Sequence, residues 1–138
     1  MGFVDFEIAK KLKEKGFILP KSEIIGKFDS DGLFHSQLYI NYNETLDLDE
    51  IIAPTISQVL TWFREEKKIF MTINIVYCYE DDEHPFPTNP EMEPILKGYY
   101  YGVWILDNLN DKNGRSECFE SPELAALAGI EYILNNLI

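Results

Sequence analysis

Residues 68–80, KIFMTINIVYCYE, place the tightest constraint on the fold. Met71, Ile73, Ile75, Tyr77 and Tyr79 alternate with Phe70, Thr72, Asn74, Val76 and Cys78. A period of two sends these sets to opposite faces of a strand. Residues 98–109, GYYYGVWILDNL, repeat the pattern, with Tyr100, Trp104 and Leu106 on one parity and Tyr101, Val103 and Ile105 on the other. Buried strands must pair their backbone groups, so these two runs are expected to be neighbours, with residues 81–96 as the connection. Both parities are apolar, so the pair is expected to be covered on both sides. Gly102 lies on the Trp104 face and permits a close backbone approach.

The rest of the chain reads as alternating elements. Residues 4–17 form a helix in which Val4, Ile8 and Leu12 make the apolar stripe, Asp5 caps the start and Gly16 ends it. Residues 23–43 form a hairpin around DSDG (29–32). After that turn Phe34, Leu38, Ile40 and Tyr42 share one face. Residues 54–68 form a second helix, with Thr55 and Gln58 as a capping box and Ile56, Val59, Leu60 and Phe63 as its stripe. Residues 116–120 are a short closing strand after the turn DKNG (111–114). Residues 121–138 are the last helix, with Ser121 as cap, Pro122 in the first turn and Leu124, Leu127, Ala128, Leu134 and Leu137 as the stripe. The expected architecture is one α+β domain over residues 1–138, an antiparallel sheet of about five strands with helices packed on it, in the order αββαβββα. A proline-led helix follows a strand pair twice, at APTISQVLTWF and SPELAALAGIEY, which would suit a duplicated ββα unit.

Charge narrows the function classes. The chain of 138 residues carries a net charge of −12. Residues 1–27 hold six lysines against Asp5, Glu7, Glu14 and Glu23, a net of +2, so the remainder nets −14. Such a surface repels nucleic-acid phosphates, and direct DNA or RNA binding is not expected. An acidic face for a basic partner, or one imitating DNA, stands as an alternative. No leading basic segment with an apolar run is present, and no run reaches the roughly 18 apolar residues of a membrane span. The expectation is therefore a cytoplasmic location, no membrane contact and free thiols at Cys78 and Cys118.

Residues 77–94, YCYEDDEHPFPTNPEMEP, raise the question of a site. Asp81, Asp82, Glu83 and His84 would serve a metal-dependent hydrolase if they converged. On a strand they alternate sides and cannot; off the strand, as Pro85 and Pro87 suggest, they could converge, although the spacing does not support it. They also match neither a calcium loop nor a zinc-enzyme motif. Cys78, Cys118, His35 and His84 have the composition of a structural zinc set but lack its paired spacing. The expectation is a solvated acidic loop that blunts a strand end, with no metal, no cofactor and no catalytic residue.

The segment APTISQVLTWFREEKKI (53–69) resembles a block seen in small uncharacterised proteins of gut-bacterial phages and mobile elements. AKKLKEKGF (9–17) and SPELAALAGIEYILNNL (121–137) also look like that family's beginning and end. The resemblance implies a small accessory protein of a phage or integrated element. It attaches no activity or ligand, so Trp62, Phe63 and Arg64 carry over as a family mark only. Together these readings lead to a non-enzymatic accessory protein. Its docking surface is expected at Phe70, Tyr100 and Trp104, for a protein partner or a second copy of the chain.

Overall fold

The computed structural model describes residues 2–19, 24–38, 50–78, 93–106 and 114–138. Its helices are α1 (Phe6–Glu14), α2 (Ile56–Trp62) and α3 (Pro122–Asn136). Its strands are β1 (Ile24–Phe28), β2 (Phe34–Leu38), β3 (Ile51–Ala53), β4 (Ile69–Cys78), β5 (Ile95–Ile105) and β6 (Gly114–Arg115). The chain is α+β, but its described strands make two antiparallel three-stranded sheets rather than one sheet of about five. The order gains a strand, β3, which three residues are too few to announce by alternation. Two compact units result: Met1–Lys68 with Ile130–Ile138, and Ile69–Gly129.

In the first unit α1 begins as expected. The Asp5 carboxylate accepts from the Ile8 amide at 2.9 Å, and Val4, Ile8 and Leu12 are buried. The helix ends in a Schellman motif. The Phe17 amide donates to the Leu12 carbonyl at 3.0 Å and the Gly16 amide to that of Lys13 at 3.2 Å. Gly16 sits at φ +79° to allow it. The Phe17 ring then meets Trp62 edge-on, with centroids 5.3 Å apart.

The hairpin β1–β2 runs in register from Ile24–Leu38 to Phe28–Phe34. Asp29 organises its turn: one carboxylate oxygen accepts from the Asp31 and Leu33 amides, both at 2.9 Å, and the other lies 2.9 Å from His35 Nε2. On the sheet, Phe34 packs against Phe3 and Phe28 with centroids 4.8 and 5.6 Å apart. Ile40 and Tyr42 of that expected face fall outside the described residues, as does the rest of the expected hairpin beyond Leu38. On the other side of β1, β3 pairs Gly26 to Ala53 and Phe28 to Ile51. Lys27 and Glu50, both largely shielded from solvent, form an ion pair.

The capping box of α2 closes in both directions. Thr55 N donates to Gln58 Oε1 at 2.8 Å, and Gln58 N to Thr55 Oγ1 at 3.2 Å. The N-terminal segment is fastened beside it, with Ile56 N donating to Gly2 O and Val4 N to Pro54 O. The expected regular helix to residue 68 changes character at its end. Phe63–Lys67 is a π-helical turn, and Lys68 closes it in the left-handed region at φ 56°. Phe63 is fully buried there. The unit's share of α3 buries Ile130, Ile133 and Leu134, and Lys11 reaches Glu131 at 2.8 Å.

The second unit is built on β4 and β5, which pair from Ile69–Ile105 to Cys78–Ile95. The partner strand starts at Ile95, not at residue 98. Lys97 is an extra residue, since Val76 pairs with Gly98 but Tyr77 with Leu96. That irregularity breaks the alternation just where the sequence pattern stops reading as strand. The closing strand also lies earlier than 116–120. β6 is Gly114–Arg115 on Gly102 and Val103, followed by an isolated bridge from Tyr99 to Phe119. Ser121 caps α3 as expected, its Oγ accepting from Leu124 N at 3.1 Å.

The stripe of α3 matches the expectation at Leu134, which is buried, and otherwise differs from it. Ala125, Ala126, Ile130, Ile133 and Leu134 are buried, whereas Leu124 is 50% exposed. Small residues face inward because they let the helix come close: a side chain at Gly129 would collide with Met71 and Tyr101. The duplicated ββα unit gains no support, because β1 is central in one sheet and β5 in the other, in the orders β2-β1-β3 and β4-β5-β6. Among the described residues, no helix is long and apolar enough to cross a membrane.

Two outcomes follow from the local geometry. Thr55→Ala should lower stability by about 1 kcal/mol in a denaturant titration, with the fold retained. The Asp29 carboxyl is held below its ordinary value of 3.8 first by the hydrogen bond with His35, then by the Leu33 amide. A lowered native pKa means this stabilisation is complete above the ordinary carboxylate range and fades as pH falls through the lower native value. Asp29→Asn should therefore flatten the acid limb of the stability–pH curve measured by denaturant titration at a series of pH values.

Candidate partner-binding face

The β4–β5 register brings the expected docking residues together. Phe70 pairs directly with Trp104 and Asn74 with Tyr100, with Thr72–Gly102 between them. Strand parity puts all six on one face. Phe70 is 39% and Trp104 36% exposed, and Tyr100 is half-buried. The face is therefore not covered as fully as its apolar character suggests. Polar atoms punctuate it: Asn74 Nδ2 donates to Thr72 Oγ1 at 2.9 Å.

Gly102 has a definite role. A Cβ at this position would lie 2.9 Å from Trp104 Cη2, 3.1 Å from Trp104 Cζ3 and 3.3 Å from Thr72 Oγ1. The indole thus lies back along its own strand and occupies the space that Gly102 leaves. The close approach anticipated at this glycine is made by Trp104 itself. Seated over the glycine, the indole still leaves Trp104 36% exposed, and tryptophan supplies large contact area at low conformational-entropy cost.

The opposite face is the packed one. Val103 is buried, Met71 and Tyr101 lie against Gly129 of α3, and Tyr101 stacks on Phe119 with centroids 6.2 Å apart and rings 27° from parallel. Farther along the same parity, Ile75 and Tyr77 are 59% and 53% exposed. With Pro94 and Leu96 they line a hollow of about 330 Å³. The sequence pattern assigns residues 94 and 96 to the connecting loop and so misses this second apolar surface.

The other candidates form no site. Asp81, Asp82, Glu83 and His84 lie outside the described residues, and of Cys78 only the backbone is described. His35 is engaged with Asp29 in the hairpin turn of the first unit. Cys118, in the second unit, is an exposed free thiol. Among the described residues no three His, Cys, Asp or Glu side chains gather in a way that would hold a metal ion. Trp62 and Phe63 are buried in the first unit. Lys67 Nζ lies 5.1 Å from the Trp62 ring centroid, and the two residues border an open groove of about 340 Å³ with Gly16, Ile18, Glu65 and Glu66.

Gly102→Ala tests the indole's seat. The added methyl should displace the Trp104 ring, shift tryptophan emission to longer wavelength and increase its quenching by acrylamide. The cost in stability should stay below about 1 kcal/mol, because a strand alanine is favoured over glycine and the colliding atoms belong to a side chain.

Comparison of the chain with family models, curated proteins and solved structures gives no match.

Proposed function

We propose that this chain is a non-enzymatic accessory protein that binds a protein partner through the Phe70/Tyr100/Trp104 face. One observation carries the reading: two large aromatic side chains, paired across neighbouring strands, are each more than one-third exposed, and one is seated over a glycine. Exposed aromatic anchors interspersed with uncharged polar groups have the composition of an interface core. Thr72 and Asn74 supply those polar groups, and no charged residue lies on the paired stretch from Phe70 to Val76. The net charge of −12 favours a partner with a basic perimeter, which would be drawn in by long-range attraction and held by apolar contact. The likeness of residues 53–69 to the phage and mobile-element block supports an origin as an accessory protein of such an element.

Affinity capture from a bacterial lysate with wild-type and Trp104→Ala protein tests this reading. Loss of an anchoring tryptophan from an interface centre typically costs at least about 2 kcal/mol, or roughly 30-fold in affinity. The captured partner should be strongly depleted in the variant, with binding of the purified pair weakened to match. Equal recovery by both proteins would remove the face from consideration.

A further inference from the structure

The outer edge of β4 carries an inference that does not depend on the face just described. In the order β4-β5-β6, β4 is a terminal strand of ten residues. Its stretch from Met71 to Val76 pairs with β5 from Val103 back to Gly98, and with no other strand among the described residues. An edge of this kind leaves alternate backbone amides and carbonyls directed away from its partner, which makes it a template for another strand.

Natural sheets protect such edges with charge, proline, a bulge in the edge strand or brevity. The opposite edge uses brevity, since β6 has only two residues. β4 uses none of these devices. Its sequence, IFMTINIVYC, has no charged residue and no proline, in a chain of which 26% is charged. The extra residue of the β4–β5 ladder lies on β5, at Lys97. Two copies of a chain of net charge −12 repel one another overall, and an uncharged strand is a stretch where they can meet without opposing like charges.

We propose that β4 pairs with β4 of a second copy, antiparallel across a two-fold axis, to make one continuous six-stranded sheet. The strand is complementary to itself. With the axis at Ile73, Ile73 meets its own copy and Met71 meets Ile75 on one face, while Thr72 meets Asn74 on the other. Apolar groups oppose apolar groups, and hydroxyl opposes amide, with no like charges facing one another. The 59%-exposed Ile75 gains cover from Met71 of the other copy. The symmetric pairing is isologous and closes at two chains, because the same edge of each copy is used up in making it.

Light scattering after size exclusion, together with hydrogen exchange, tests the proposal. Wild-type protein should have twice the mass of a single chain at micromolar concentration, and rising salt should favour the dimer by screening mutual repulsion. Ile75→Lys places a charge on the edge, at an exposed position outside the Phe70/Tyr100/Trp104 face, and should give single-chain mass with unchanged circular dichroism. In the wild type, amides between Met71 and Val76 should exchange at least about tenfold more slowly as concentration rises through the transition. That measurement needs no variant and decides the matter even if Ile75→Lys fails to fold. Single-chain mass for the wild type at every concentration, a dimer that persists in folded Ile75→Lys, or edge protection that appears only when a different protein is added would each overturn the self-pairing. Loss of lysate capture in Trp104→Ala leaves this result unaffected, so the two readings fail separately.

Discussion

The antiparallel ladder between β4 and β5 governs the second unit. Its register decides which side chains share a face, because successive residues of a strand point in opposite directions. Phe70 and Trp104 come together for the same reason that Met71 and Val103 do. A slip of one residue in either strand would exchange the two sets and put Trp104 against the small-residue surface of α3. The seat at Gly129, which has room for Met71 and Tyr101, would not accommodate the indole there. Packing on one face therefore enforces exposure on the other.

The first unit is held by local signals that agree with one another. Asp5, Thr55 with Gln58, and Asp29 each satisfy backbone amides that would otherwise lack partners. Each does so within a few residues of its own position. Distant parts are joined by ring contacts, as where Phe3 reaches Phe34 and Phe17 reaches Trp62, and by polar links such as Val4 N to Pro54 O and Lys11 to Glu131. Short-range polar bonds define the ends of elements, and these longer-range contacts bring the elements together.

These differences explain what can be read from sequence. Caps and turns use a particular residue type at a particular spacing, so Asp5, Gly16, the DSDG turn with Gly32 at φ +79°, Thr55 and Ser121 are legible. The pairing partners of strands are not written locally, and one expected sheet becomes two. β3 is hidden because three residues show no periodicity. The stripe of α3 is obscured because leucine outweighs alanine in any hydrophobic pattern, whereas a close helix–sheet approach requires Ala125, Ala126 and Gly129 inside. The Phe70/Tyr100/Trp104 alignment is legible because it needs only parity and pairing. The Ile75, Tyr77 and Leu96 surface is not, because it depends on where an extra residue falls.

That extra residue, Lys97, acts as a parity switch. Before it, Leu96 is opposite Tyr77; after it, Gly98 is opposite Val76. In an uninterrupted ladder Leu96 would project on the indole side and lengthen the aromatic surface into one greasy strip. The insertion turns it through half a revolution, so the sheet carries two shorter apolar zones on opposite sides. Bodies pressed against the two sides would not compete for the same ground, and the exposed grease is divided rather than pooled into a single large patch.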